Sequence, residues 1–266
     1  MALDAFATAC GPALLDRHVD VDHHRSVFTL AGALTPDGVR ALAVAVSERI
    51  DLAAHTGVHP RLGALDVVPF VALDGRAPVD AVDAAQAFAT WVADALALPA
   101  FFYDAADPER RSLPEARRDA FRTRAPDAGP REPHPRLGAV AVGARPPLVA
   151  VNCELERDDL PLARAIAARV RERDGGLPGV RALGLRLESV GRVQVSMNLV
   201  ALERTGLQRA CRTVDALARG DGSSVTRVEL VGLVPAAELA RCDDEFREWS
   251  QIGAADTIEG RLAARA

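Results

Sequence analysis

Lysine is absent from this sequence, and all of its 32 basic residues are arginine. A Schiff base to a substrate or to pyridoxal phosphate needs a lysine amine, and a P-loop needs a lysine beside its phosphates. The sequence therefore excludes these chemistries, together with general base catalysis by lysine.

Aromatic residues and positive charge are also scarce. Aromatics make up 4% of the chain, and its formal net charge is −5. Single-strand binders stack bases on aromatic side chains, and nucleic acids and anionic membranes attract basic surfaces. No apolar run reaches the ~18–20 residues that a membrane span needs. We therefore expect neither nucleic acid nor membrane as a partner.

The four cysteines are widely spaced and form no Cys-x-x-Cys pair, which is typical of buried thiols in a reducing compartment. The N-terminus, Met-Ala-Leu-Asp-Ala-Phe, lacks the positively charged start of a signal peptide. We therefore expect a cytoplasmic protein.

The second half of the chain alternates strand-like and helix-like patterns in the order βαββαβ, the ferredoxin-like unit. The predicted strands are 148–154, 180–187, 193–199 and 225–231, with helices at 160–173 and 205–218 and short helices at 236–239 and 256–264. The order predicts a four-stranded antiparallel sheet with two helices on one face.

The first half has the order α, β, β, α, β, which is the same unit without its opening strand. Its predicted elements are helices at 3–10, 35–50 and 79–96 and strands at 13–15, 26–30, 63–73, 100–103 and 137–142. Residues 107–136 are rich in proline and arginine and read mostly as loop. We predict an α+β fold of two packed subdomains, residues 1–146 and 147–266.

All six histidines lie at or before position 134, so imidazole chemistry belongs to the first half. Pro60 biases His59 toward extended geometry, and Gly57 and Gly63 flank it on a loop before a buried strand. Such a histidine is well placed to face a cleft, although the spacing alone favours a surface histidine.

A metal site is the alternative use of the histidines. The pairs His18-x4-His23 and His55-x3-His59 lie near acidic residues, and zinc accepts this donor set. The acidic residues are Asp16, Asp20 and Asp22. Neither pair lies on an evident helix, and polar turns commonly collect Asp and His for solvation alone. We expect no metal, and a metal-dependent hydrolase stays an open alternative.

Five sequence blocks together resemble the formiminotransferase family. They are Leu14-Leu15-Asp16 with His24-Arg25-Ser26-Val27, Gly57-Val58-His59-Pro60-Arg61-Leu62-Gly63-Ala64, Gly138-Ala139-Val140-Ala141-Val142-Gly143-Ala144-Arg145, Gln194-Val195-Ser196-Met197-Asn198-Leu199, and Glu229-Leu230-Val231-Gly232-Leu233-Val234-Pro235. The blocks occur in the family's order and span the chain from about Gly11 onward.

The resemblance implies two ferredoxin-like subdomains with a folate cleft between them, and transfer of the formimino group of N-formimino-L-glutamate to N5 of tetrahydrofolate. His59 matches the family's catalytic histidine, a general base. Arg25, Arg61 and Arg145 are the candidates for binding the substrates' carboxylates. The folate-binding loop corresponds to Gly129, Pro130, Arg131, Glu132, Pro133, His134, Pro135, Arg136, Leu137 and Gly138. Composition alone favours an ordinary solvated loop for these residues.

The family opens with a strand and a Pro-Asn-Phe-Ser-Glu-Gly-like loop, and the chain starts after both. We therefore expect the first-half sheet to show a gap, an exposed edge or a replacement strand, and an exposed edge favours pairing with a second copy. Two other functions stay open: a glutamate formyltransferase that acts on formylated folate, and a folate-binding protein without catalysis.

Overall fold

The structure, a computed structural model, describes residues 2–22, 24–54, 61–73 and 77–265. These residues group into two compact units. The first unit comprises the residues up to Leu14 together with Leu30–Pro146, and the second comprises Leu15–Thr29 together with the residues from Pro147 onward. Helices pack on a β-sheet in each unit, which confirms the predicted α+β class.

Nine helices and strands precede Pro146 in the described part of the chain. In order they are α1 (Ala2–Cys10), β1 (Leu14–Asp20), β2 (Arg25–Leu30), α2 (Thr35–Arg49), β3 (Val67–Phe70), α3 (Pro78–Leu96), β4 (Ala100–Asp104), α4 (Leu113–Asp119) and β5 (Val140–Ala144). Both α2 and α3 have a proline in the first turn. Proline fits there because the N–H groups of the first turn have no acceptor within the helix, so its missing N–H costs no hydrogen bond.

The first unit contains a three-stranded parallel sheet in the order β3-β5-β4. This arrangement differs from the ferredoxin-like strand order predicted for the first half. The physical reason lies in the strands themselves: β5 is buried on both faces, as parallel strands usually are. Val140 and Val142 pack under the helices, whereas Ala141 packs against Tyr103 on the other face.

The strands β1 and β2 form a separate two-stranded sheet. Among the described residues, the strands of the first half therefore form two sheets, and β3 is an edge strand of the parallel one. The expected gap, exposed edge or replacement strand stays a prediction, because every open sheet has edge strands. The strand predicted over 63–73 is shorter in the structure, because only Val67–Phe70 pairs with β5.

The second unit adds nine further helices and strands. They are β6 (Val149–Leu155), α5 (Leu160–Val170), β7 (Val180–Leu187), β8 (Arg192–Leu199), α6 (Leu207–Gly220), β9 (Val225–Leu230), α7 (Ala236–Ala240), α8 (Asp244–Ser250) and α9 (Ile258–Ala263). Of these, α8 was not predicted, although Asp243 caps it by accepting a hydrogen bond from the Phe246 N–H.

The sheet of the second unit is four-stranded and antiparallel, in the order β7-β8-β6-β9. This confirms the ferredoxin-like prediction for the second half. Alternate residues of β6 and β8, such as Val151 and Val195, face α5 and α6 and are fully buried. Because strand side chains alternate between faces, the residues between them form a second, polar face.

Among the described residues, none of the helices is both long and apolar enough to cross a lipid bilayer.

Candidate functional site

The predicted catalytic residue, His59, lies outside the described residues, as do His55 and His23. The segments on either side of 55–60 are described, and both are bonded to the end of the predicted folate loop. The Leu52 N–H donates to the Arg136 carbonyl (2.8 Å). On the other side, the Ala64 N–H donates to the Leu137 carbonyl (2.9 Å). The loop and the His59 segment are therefore joined at both flanks.

The last five residues of the predicted folate loop form a tight closed turn. The backbone groups of His134 and Gly138 exchange two hydrogen bonds of 2.8 Å. Gly138 adopts a positive φ of 71°, which favours glycine because it lacks a Cβ. Earlier in the loop, Arg131 and Glu132 are exposed and available to a ligand.

His134 stabilises this turn through its ring. Its Nδ1 accepts hydrogen bonds from the backbone N–H groups of Arg136 (3.2 Å) and Leu137 (3.1 Å). The structure therefore gives this loop histidine a positioning role.

Replacing His134 with alanine should lower the free energy of unfolding by about 1–2 kcal/mol, because two backbone N–H groups lose their acceptor. His134→Asn should recover most of this loss, since its amide oxygen can accept in the same place. Denaturant unfolding of both variants is the measurement. Equal stability of the alanine and asparagine variants would contradict the assigned role.

Gly63 shows why the His-Pro-Arg-Leu-Gly-Ala segment needs a glycine. It forms an isolated antiparallel bridge with Gly138. A Cβ at Gly63 would lie 2.0 Å from the Ala139 carbonyl oxygen and 2.6 Å from that of Leu137. The segment that follows His59 therefore packs against the loop backbone at a distance that only glycine permits.

Asp66 fixes the same segment from its other end. Its carboxylate accepts a hydrogen bond from the Leu62 N–H (2.6 Å) and pairs with Arg117 of α4. Residues 61–66 are thus held both by the loop and by a helix. Such a rigid anchor suits a residue that must be positioned for catalysis.

Arg145 lies directly after β5, at the carboxyl ends of the three parallel strands, where open α/β sheets commonly bind ligands. Its Nη1 donates to the Pro146 carbonyl (3.0 Å), and its side chain also bonds to the Tyr103 hydroxyl. Burial lowers the pKa of this guanidinium, against the opposing effects of Tyr103 and Asp104. Arginine stays protonated in proteins, so Arg145 presents a half-buried positive charge.

Burial raises the pKa of Tyr103 to about 12, despite the opposing charge of Arg145. The unfolded chain ionises this phenol near pH 10. Stability from this group is therefore complete below pH 10 and is lost as the pH rises toward 12, because only the unfolded state releases the proton there.

We expect this loss to reach roughly 2–3 kcal/mol. Tyr103 is the only tyrosine in the sequence, so the ultraviolet absorbance of tyrosinate reports this residue alone. The native protein should titrate well above the protein unfolded in denaturant. A native titration near pH 10 would show that the hydroxyl is not buried beside Arg145.

The three predicted carboxylate-binding arginines belong to different units. Arg61, half-buried, and Arg145 lie in the first unit. Arg25 is exposed at the start of β2 and belongs to the second. The predicted folate loop, Arg61 and Arg145 all belong to the first unit.

The metal alternative gains no support from the described residues. The part of the chain that the structure describes holds no group of three or more His, Cys, Asp or Glu side chains that could bind a metal ion. His18, Asp16 and Asp20 are within that part. They lie on one strand, β1, where alternate residues share a face.

The polar face of the second unit's sheet was missed from the sequence. Asn152 and Glu154 of β6 and Gln194 of β8 lie on this face and are buried. The sequence did contain a signal for this face, because polar residues alternate with apolar ones along both strands. The alternation predicts a polar face, and such a face is usually exposed to solvent. Burial of these side chains depends on what covers the face, and a strand pattern does not show that.

Comparison with known proteins connects these features to one family. The sequence model of the formiminotransferase domain, N-terminal subdomain, matches residues 2–145, and that of the formiminotransferase domain matches residues 150–256. Together they cover most of the chain, which confirms the resemblance seen in the five blocks.

Individual relatives agree with the family match. The chain is 38% identical to the glutamate formimidoyltransferase of Streptococcus pyogenes over 242 residues, covering 86% of this chain and 81% of that protein. It is 33% identical to the enzyme of the same name from Thermoplasma acidophilum, covering 98% and 89%.

The formimidoyltransferase-cyclodeaminase of Sus scrofa is 34% identical, with 88% of this chain matching 47% of that longer protein. Two relatives that match over most of both lengths are thus named glutamate formimidoyltransferase. The chain is therefore a transferase that belongs to the formiminotransferase family.

Proposed function

We propose that this chain transfers the formimino group of N-formimino-L-glutamate to N5 of tetrahydrofolate. The observation that carries the proposal is the likeness to two proteins named glutamate formimidoyltransferase, at 33–38% identity over most of both lengths. We also propose that the chain divides into the subdomains 1–146 and 147–266, and that it acts in histidine breakdown in the cytoplasm.

The residues of the first unit fit a carboxylate-bearing folate. Arg145 donates to the Pro146 carbonyl, bonds to the Tyr103 hydroxyl and is influenced by the charge of Asp104, and its guanidinium has further N–H groups that can bind a substrate carboxylate. The folate loop, 129–138, offers exposed arginine and backbone groups beside the His59 flanks. Tetrahydrofolate would act as co-substrate and supply the nucleophilic nitrogen, and no resident metal takes part.

His59 is the proposed general base. It accepts the N5 proton as the new bond from nitrogen to the amidine carbon forms. As the old carbon–nitrogen bond breaks, His59 returns the proton to the amine of glutamate. An imidazole suits both steps because its unperturbed pKa, about 6.5, is near the working pH.

Arg25, Arg61 and Arg145 are proposed to bind the carboxylates of the two substrates. Each is always protonated and can form paired hydrogen bonds with a carboxylate. In this arrangement the arginines position the substrates and His59 moves the proton.

The test is an assay of the purified chain with tetrahydrofolate and each of two donors, N-formimino-L-glutamate and N-formyl-L-glutamate. Formation of 5-formiminotetrahydrofolate is the expected result. Turnover with the formyl compound alone would favour the formyltransferase alternative. Folate binding without turnover of either donor would identify a non-catalytic folate-binding protein.

A further inference from the structure

The ring of Tyr103 is held firmly near the carboxyl end of β4. The residue is 2% exposed and lies opposite Gly143 of β5. Its ring fills the space that this glycine leaves, because a Cβ on Gly143 would lie 2.3 Å from the ring atom Cζ. The ring also packs with Ala116 of α4 and with Leu62, in the segment that follows His59. Two strands, a helix and that segment therefore fix the direction of the hydroxyl.

The hydroxyl of Tyr103 is used to hold Arg145. Its oxygen accepts a hydrogen bond from the guanidinium, since arginine N–H groups can only donate. Nη1 of Arg145 donates to the Pro146 carbonyl (3.0 Å) as well. Two neutral oxygens thus orient this guanidinium, and its other N–H groups can form the paired bonds that a carboxylate accepts.

Arg145 and the flank of the His59 segment lie at opposite ends of β5. Just before β5 begins, the Ala139 N–H donates to the Leu62 carbonyl (3.1 Å). Just after it ends, the Arg145 N–H donates to the Phe70 carbonyl (3.1 Å). At about 3.3 Å per residue, the stretch from Ala139 to Arg145 spans roughly 20 Å.

The two proposed substrates differ in how far their carboxylates lie from the reacting atom. In N-formimino-L-glutamate both carboxylates are only a few bonds from the amidine carbon. Tetrahydrofolate carries its glutamate at the end opposite its pterin, beyond the aminobenzoyl group. The donor is too short to extend along β5 from one end to the other, whereas the folate is long enough.

We propose that Tyr103 is a positioning residue for folate binding, whose hydroxyl orients Arg145 for the glutamate-tail carboxylates of tetrahydrofolate. The inference rests on the proposed function for the identity of this substrate. It assigns Arg145 to the folate and not to the donor, and it gives the buried phenol a role beyond filling the core.

The test is steady-state kinetics of Tyr103→Phe, which removes the hydroxyl and keeps the ring. KM for tetrahydrofolate should rise about tenfold, the effect of weakening one hydrogen bond to a charged group. The value of kcat and the KM for N-formimino-L-glutamate should stay as in wild type. An unchanged KM for tetrahydrofolate, or a rise in the donor's KM in its place, would overturn the inference.

Arg145→Gln distinguishes positioning from packing, and it is the second variant should Tyr103→Phe fail to fold. Alone, it should also raise KM for tetrahydrofolate and leave that for the donor unchanged. Adding Tyr103→Phe to it should change the KM less than about twofold, because coupled groups have non-additive effects. Two fold-changes that multiply would show that the hydroxyl acts independently of Arg145, and would refute the positioning role.

Thr35→Val is the matched control, because it also removes a single hydroxyl from the first unit. The Thr35 hydroxyl donates to the Gly32 carbonyl (2.8 Å) at the start of α2. The control should have the wild-type KM for both substrates.

Calorimetric titration separates this inference from the proposed function. Tyr103→Phe and Arg145→Gln should both weaken binding of tetrahydrofolate, and neither should change binding of tetrahydropteroate, which lacks the glutamate tail. That result in a chain without transfer activity would support the inference and reject the function. Transfer activity with the wild-type KM for tetrahydrofolate in both variants would overturn the inference and leave the function intact. A wild-type chain that does not bind tetrahydrofolate would overturn both.

Discussion

Replacing His59 with alanine should lower the rate of formimino transfer by ~10²–10⁴, the usual contribution of a positioned acid or base. Folate affinity should stay nearly unchanged, because the proposed base meets only the reacting end of the molecule. Steady-state turnover with N-formimino-L-glutamate and tetrahydrofolate, together with a folate titration, measures both quantities.

Two further measurements distinguish lost chemistry from a disturbed fold. Free imidazole should restore part of the turnover of His59→Ala, since it can enter the space that the ring leaves. His24→Asn is the control, because His24 has a positive φ of 49° that asparagine tolerates, and it lies on the hairpin of the second unit. Full turnover by His59→Ala would assign the proton transfer to another group.

Replacing Gly63 with alanine should have the largest effect on the first unit. The added Cβ would lie 2.0 Å from a backbone oxygen, and a backbone atom cannot rotate away as a side chain can. We expect a loss of stability at or above the upper end of the ~1–3 kcal/mol that overpacking costs. Transfer activity should fall with it, because the same contact joins the His59 segment to the proposed folate loop.

Gly220→Ala provides the comparison for this prediction. Gly220 ends α6, and a Cβ there would meet no heavy atom within 4 Å. Its stability should stay within about 0.5 kcal/mol of wild type. Denaturant unfolding of both variants and transfer assays are the measurements. A Gly63→Ala protein as stable and as active as the control would show that the 61–66 segment does not pack closely on the loop.

The fold of the second half could be predicted because the local sequence pattern of each strand indicates both the strand and its buried face. Val193, Val195 and Met197 alternate with polar residues, and such a pattern defines both the strand and its core face. The helices between them have helical spacing of apolar residues. In the second half, the strand pairing in the structure agrees with these local patterns. The predicted ferredoxin-like order of elements was therefore correct.

The first half differed because its strands have no alternation. The run Val140–Ala144 is apolar throughout, and the same run can form an antiparallel or a parallel strand. Its near-continuous apolar character was the available sign of a strand covered on both faces. The pairing of β5 with both β3 and β4 joins residues more than thirty positions apart, which no local pattern encodes.

The sequence by itself determined the chemistry available to this protein: arginine as its cation, histidine confined to the first half, and the His-Pro-Arg-Leu-Gly-Ala segment that places the chain in its family. Residue identity and local spacing carry that information directly. The tertiary structure alone decided which groups meet. Gly63 meets the loop backbone, and Glu154 holds two arginines from separate strands beside Gln194. Such contacts depend on strand register and on what covers each face, and these are set by burial over the whole unit.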